Sequence, residues 1–417
     1  MNYKFPITNR FQARTVTESS FEISPTDSRI YVSLDRVRGR EYIERIKYNL
    51  NIDKHQVQEL TGSFEKIVLS GHKGCGKSIE LKRLQNYVDD SIRYFSVFID
   101  IEKEFPVADF MPEDLLVILI SSLLIKTGEE SINFDSVDLN DILYKWLSAE
   151  TVKKELEEAC LIDLSRDAAF LKFAKNKSAF KSAFLPGSKI AETIREINRK
   201  NPFLLIDKFN AALYELRFQL RELGRGKDIM FIIDGSPKIP IANYKRLFCE
   251  NSYLIKGIDA NIVFSVPVNA CFDIKGAPSA DFFKIFKLPV VPVTPKTVSL
   301  LAQVVDNRID ADSFLEKDAL DYCIEKSGGC VGQLMQIVNR ALVISLGQKI
   351  TKETAVKSAD ELGREILELL DAEHLKLLAE RKFDIMNAEK FDLFTYLAVI
   401  EVDGKRKINP LIEDMGI

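Results

Sequence analysis

The sequence predicts an α/β fold, a parallel sheet covered by helices on both faces, and three features predict it. A β-branched run, Ile67-Val68-Leu69-Ser70, leads into the glycine-rich residues 71–78 and on into a helix with Leu81, Leu84 and Val88 on one side. Apolar runs of strand length recur at residues 94–101, 229–233, 261–266 and 285–293, with helical stretches between them. The run at 229–233 ends on an acid, Asp234. Near-continuous apolar strands separated by helices are the pattern of a sheet buried on both sides.

A chain of 417 residues is too long for one ordinary core, so two or three domains are expected. An apolar fraction of 46% with 29% charged residues describes a soluble globular protein. The longest apolar run, residues 115–125, is broken by Ser121 and Ser122. It falls short of the roughly 20 residues a membrane span needs and reads as a buried helix. The opening MNYKFPITNRF lacks the apolar stretch of a signal peptide. Six cysteines (Cys75, Cys160, Cys249, Cys271, Cys323 and Cys330) form no C-x-x-C pair, and the histidines are His55, His72 and His374. Zinc is therefore not expected, and a reducing, cytoplasmic setting fits. A net charge of −4 argues against coating nucleic acid non-specifically, while leaving room for a local basic patch.

Along the chain, residues 1–60 read as a lead-in, polar and Ser/Thr-rich at first, with a helix from about Arg40 carrying Ile43, Ile46 and Leu50. Residues 61–294 read as the sheet-bearing core, interrupted at 135–226 by a charged helical insertion. The last helix of that insertion has Ile206, Phe209, Leu213, Leu216, Leu220 and Leu223 in one stripe. Residues 295–350 read as a helical lid. Residues 351–417 end in a hairpin with an Asp403-Gly404 turn, and helices before a hairpin suggest a winged helix.

The stretch Gly71-His72-Lys73-Gly74-Cys75-Gly76-Lys77-Ser78 satisfies G-x-x-x-x-G-K-[ST], the P-loop pattern. Gly71 and Gly76 let the backbone curl, and N–H groups from Gly74 to Ser78, including that of Cys75, are placed to cradle a β-phosphate at the helix N-terminus. Lys77 is the bridge between β- and γ-oxygens, and the Ser78 hydroxyl is the Mg²⁺ ligand. His72 and Lys73 occupy variable positions and receive no chemical role. The expected ligand is ATP with Mg²⁺. Asp234, at the tip of its strand, is the expected acidic partner of that metal, opposite Ser78.

Hydrolysis also calls for a carboxylate that polarises water. Gly235, Ser236, Pro237 and Lys238 cannot supply it. Glu102, just past the second strand, is the candidate catalytic base, with Asp100 behind it; a solvated acid at a strand end is the plainer reading of Glu102.

At these motifs the sequence resembles the AAA+ and STAND ATPases of the initiator-like type. Val37-Arg38-Gly39-Arg40-Glu41 is similar to their G-R-E element, GHKGCGKSIELKRL to a bacterial loop G-x-x-G-C-G-K-S-T-E-L, and FIIDGSPKIP to I-I-D-G-L-D-K-I. NIVFSVP resembles the sensor strand, Ser327-Gly328-Gly329 the start of the lid helix G-G-x-x-R-x-L, and the terminal VIEVDGKRKINPLI a wing. The resemblance implies a P-loop NTPase with helical insertion, helical lid and C-terminal winged-helix domain. Three positions depart from it: Ile79 replaces a Thr, Pro237 replaces the second acid, and Gly332 replaces the lid arginine. Losing a charge-stabilising group of that kind costs on the order of 10²–10³ in rate, so the resemblance implies ATP binding more firmly than turnover. Arg308 and Arg340 are candidate substitutes, though a surface salt bridge is the expected role of each.

Three functions fit. One is an ATP-gated switch or scaffold, acting through a homo-oligomer or a separate effector; the resemblance suggests bacterial antiphage defence. Another is a DNA-stimulated motor or loader reading DNA through the winged helix. Its best basic segments are residues 172–181, where a solvated helix face with two Phe packed inward is the plainer reading, and the wing Lys405-Arg406-Lys407. The third is a regulatory subunit holding ATP without hydrolysis.

Overall fold

The computed structural model describes residues 3–39, 41–52, 64–158, 173, 175–383 and 388–416. Arg40, His55, Cys160 and, of the basic segment 172–181, Lys172 and Ala174 lie outside them.

Five parallel strands form the central sheet: β1 (Lys66–Gly71), β2 (Tyr94–Asp100), β3 (Asp228–Asp234), β4 (Asn261–Pro267) and β5 (Lys284–Lys287), in spatial order β2-β3-β4-β1-β5. The expected P-loop α/β fold is therefore present. Alternation along β3 divides the core: Ile229, Phe231 and Ile233 face one layer, and Met230 and Ile232 the other. The first layer holds α4 (Asp114–Glu129) and α5 (Pro202–Glu222); the second holds α2 (Glu41–Asn49) and α3 (Lys77–Val88). Residues 115–125 are indeed a buried helix, and Leu205, Phe209, Leu213, Leu216 and Leu220 of α5 are fully buried. Among the described residues no helix is long and apolar enough to cross a membrane.

The strand expected over 285–293 stops at Lys287. Beyond it the chain leaves the sheet edge, and Pro289 and Pro292 cannot donate to a ladder. Helices α6 (Pro295–Asp306), α7 (Lys317–Lys326), α8 (Val331–Ile344) and α9 (Lys352–Glu368) form a second, helical body with its own apolar core. A capping box at Thr294 and Thr297, with Pro295 in the first turn, sets the start of α6. The C-terminal hairpin pairs β6 (Val399–Val402) with β7 (Lys405–Ile408) around Asp403 and Gly404, both at positive φ.

The lead-in is more than a tail. Helix α1 (Arg10–Thr17) is capped by Asn9 and docks on α8: Asn339 donates to the Arg14 carbonyl at 2.6 Å and to Thr17 Oγ1 at 2.9 Å. Arg10 donates to the Gln348 carbonyl at 2.7 Å. The N-terminal segment thereby belongs to the helical body's core, and it runs on across the carboxyl edge of the sheet.

Candidate functional site: a glycine-rich loop at the sheet edge

Parallel strands bring the loop after β1, Asp100 at the end of β2 and Asp234 at the end of β3 to one edge of the sheet, where α/β folds bind their ligands. A cavity of about 490 Å³ opens there. It is walled by Gly74, Cys75, Gly76, Lys77 and Ser78 of the loop, by Asp100, Glu102 and Asp234, by the N-terminal segment, and by Val304, Arg308, Gly332 and Met335 of the helical body. The structure so assembles the candidate residues around one space, except Gly71 and Arg340, which do not line it.

Two of the loop glycines are conformational requirements. Gly74 sits at φ +78° and Gly76 at φ +101°, where a side chain would be strained. Gly76 caps α3, whose first residues Lys77 and Ser78 line the cavity, so the uncapped end of that helix lies at it. Gly71 answers to packing, since a Cβ there would lie 2.8 Å from Cys75 Sγ and 3.2 Å from the Leu288 carbonyl oxygen. Lys77 Nζ donates to the carbonyls of Gly71 (2.8 Å) and His72 (3.0 Å), arching over the loop. The Cys75 N–H turns back onto the His72 carbonyl at 3.3 Å, and its own carbonyl accepts from Arg38 at 2.5 Å.

Asp234 Oδ1 accepts a 2.8 Å hydrogen bond from Ser265 Oγ of β4, which fixes the carboxylate at the strand tip. Gly235 follows because nothing larger fits: a Cβ would lie 2.3 Å from the Ser265 carbonyl oxygen. Asp100 stands beside Asp234 in the β2–β3 register. Burial, and then the neighbouring Asp234 charge, raise the pKa of Asp100. Glu102 follows β2 on the short helix Ile101–Glu104. Burial raises its pKa, but hydrogen bonds from Lys238 and Ser236 outweigh that, and the carboxyl ends below its usual value. Ser236 Oγ donates to it at 2.8 Å and Lys238 holds the other oxygen, so both oxygens of the candidate base are engaged.

Three features of the site were not readable in the sequence. His72 is buried, and its Nε2 accepts the Glu401 N–H of β6 at 2.9 Å while its ring stacks on Phe394. The C-terminal hairpin is thus fastened to the glycine-rich loop itself. Gly332 lies against the loop, its N–H donating to the Gly74 carbonyl at 2.9 Å, and Cys330 Sγ reaches the Lys73 carbonyl at 3.3 Å. Glu22 pairs with Lys82 of α3 at 3.3 Å and with Lys103, strapping the N-terminal segment over the cavity. Each contact joins residues far apart in the chain, and no local pattern signals them.

The two substitute arginines differ. Arg340 pairs with Glu365 at 2.6 Å, the salt bridge expected of it. Arg308 corrects its expectation: it is 6% exposed, lines the cavity and pairs with no carboxylate among the described residues. Of the basic segment 172–181, Phe173 is buried, as its plainer reading requires, and Lys181 donates to the Lys103 carbonyl at 2.7 Å. Arg406 of the hairpin is spent internally, on the Phe383 carbonyl at 3.0 Å and over the rings of Phe272 and Phe394.

No family model matches the chain, and no curated protein matches its sequence. Solved structures similar to it include Cdc6p from Pyrobaculum aerophilum, at 13% identity and a TM-score of 0.38 over 94% of this chain and 93% of that one. Thermotoga maritima RuvB is similar at 10% identity and a TM-score of 0.37, over 92% and 96% of the two chains. The Aeropyrum pernix ORC1 protein, solved in complex with DNA, is similar at 11% identity and a TM-score of 0.39, over 92% and 81%. Likeness at this level assigns no family, and the site is read from its own geometry.

Proposed function

We propose that the chain binds ATP with Mg²⁺ at residues 71–78 and works as a nucleotide-gated switch or regulatory ATPase of the AAA+/STAND-like type. The observation that carries this reading is that the loop is a mechanical junction. It touches the helical body through Gly74 and Gly332, and the C-terminal hairpin through His72 and Glu401. A ligand that reshapes the loop therefore acts on both parts at once, which is what a population-shifting ligand needs.

The residues present fit the nucleotide and its metal. Gly74 and Gly76 supply a cradle of inward N–H groups, and Ser78 and Asp234 line one cavity. Among the described residues no three His, Cys, Asp or Glu side chains cluster as a metal cage. Mg²⁺ is the ion that needs none, since it is held by one or two protein oxygens together with phosphates and water. Turnover would be slow, because Pro237 and Gly332 stand where charge-stabilising groups are expected and Glu102 is already engaged. The partner acted on would be a second copy or a separate effector, with bacterial defence the setting suggested by the sequence resemblance.

Calorimetric titration with ATP and Mg²⁺, with Lys77→Ala alongside, tests the binding. Saturable binding that Lys77→Ala abolishes is expected; binding that survives it would sink the site assignment. Phosphate release with and without duplex DNA tests the loader alternative, which DNA-stimulated turnover would restore. Glu102→Gln is expected to leave slow turnover within about threefold, whereas a loss of the 10²–10⁴ typical of a general base would establish Glu102 in that role.

A further inference from the structure

Among the described residues, the other deeply buried arginines sit on carboxylates: Arg195 makes a two-pronged contact with Asp114 at 2.8 Å on each oxygen, and Arg217 pairs with Asp228. Arg308 breaks that rule. Just past the end of α6, it is equally buried, yet among the described residues its side chain bonds the Val304 carbonyl at 3.0 Å and the thioether of Met335 at 3.1 Å, both from one terminal nitrogen. A carbonyl and a weakly accepting sulfur occupy one terminal nitrogen, and among the described residues the other guanidinium donors have no protein acceptor. Burying a cation without an anion is among the costlier arrangements in a protein, and a bound anion would offset that cost. Burial pulls the pKa of Arg308 down to about 10, which still leaves it charged at neutral pH.

The side chain lines the same cavity as Gly76, Lys77 and Ser78. The lid position opposite the loop, Gly332, has no side chain to offer and no room for one. A planar guanidinium in the cavity wall is shaped for oxygens in pairs, as in a phosphate chain. We infer that Arg308 is a nucleotide-binding residue that reaches into the cavity to hold the phosphate chain, supplying from the end of α6 the positive charge absent from the start of α8. This rests on the nucleotide reading of the same site.

The test uses the full chain and two ligands, ATP and inorganic tripolyphosphate, each titrated with Mg²⁺ into wild type, Arg308→Met and Arg308→Lys. Met keeps the bulk and removes the charge, and Lys keeps the charge without the fork. The inference expects Arg308→Met to weaken both ligands by roughly 10- to 100-fold, with Lys in between. It also expects the unliganded melting temperature of Arg308→Met to stay level or rise, because an unpaired buried charge is gone. Weakened ATP with unchanged tripolyphosphate would place Arg308 on the base or sugar and overturn the inference, as would unchanged affinity for both. A lowered unliganded melting temperature, or failure of both variants to fold, would give the charge a purely structural role and overturn it too. If wild type binds neither ligand, the nucleotide reading itself falls and takes this one with it.

Discussion

At position 332 a Cβ would lie 2.6 Å from the Gly74 Cα and 3.2 Å from its carbonyl oxygen, so backbone there meets backbone. The lid arginine of the resembling ATPases is thus not simply missing: the space it would leave from is closed. Gly332→Ala is accordingly expected to destabilise the chain by about 1–3 kcal/mol, the usual cost of overpacking, read from a denaturant midpoint. Gly332→Arg is expected to be worse and to restore no turnover; a stable, faster Gly332→Arg would refute this account of the contact. The neighbouring loop glycines answer to different constraints, Gly74 and Gly76 to positive φ and Gly71 to the Cys75 sulfur and Leu288.

Between elements, His72 is the telling contact. Its Nε2 accepts from β6, so the neutral ring carries its proton on Nδ1, which has no hydrogen-bond partner. Burial, followed by the charges of Lys77 and Lys287, lowers its pKa to about 3 from the ordinary 6.5. The unfolded chain therefore takes up this proton first as the solution is acidified. The contribution is fully present above about pH 6.5 and is lost progressively as pH falls towards 3. Glutamine at this position can accept from the Glu401 N–H without titrating. His72→Gln is expected to flatten the loss of stability between pH 6.5 and 4.5, measured as denaturant midpoints at several pH values. An unchanged slope would show that other groups dominate acid unfolding. Alanine would instead leave the Glu401 N–H buried and unpaired, at about 1–3 kcal/mol.

At the scale of the whole molecule, the cavity has walls from four separate stretches: the N-terminal segment, the phosphate loop, the sheet edge and the helical body. A ligand that fills it touches all four, and its binding energy adds to the stability of their arrangement. At a hundred times the dissociation constant, that addition is about 2.7 kcal/mol, so ATP should raise the melting temperature by several degrees and Lys77→Ala should not respond. If the nucleotide also governs assembly, elution from a sizing column should differ between ATP, ADP and no nucleotide; identical elution in all three would count against that version of the switch.

Much of this was legible in the chain itself, because local chemistry dictates it. A β-branched run, two glycines with a lysine and serine at fixed spacing, and an apolar strand ending in Asp234 specify the sheet, the loop and the acid opposite it. They do so because strand periodicity, positive φ and a helix N-terminus are properties of a few adjacent residues. The end of β5 at Lys287 and the docking of α1 on α8 were not legible in the same way, since pairing and packing partners decide them. So too for Arg308, whose isolation from carboxylates exists only once α6 and α8 have packed, and for His72, whose partner lies 329 residues further on. The sequence by itself determined that a glycine-rich loop of the P-loop pattern forms and on what fold. Only the tertiary structure decided what the loop is fastened to and which buried charge faces it, because burial and long-range hydrogen bonds are made by neighbours in space.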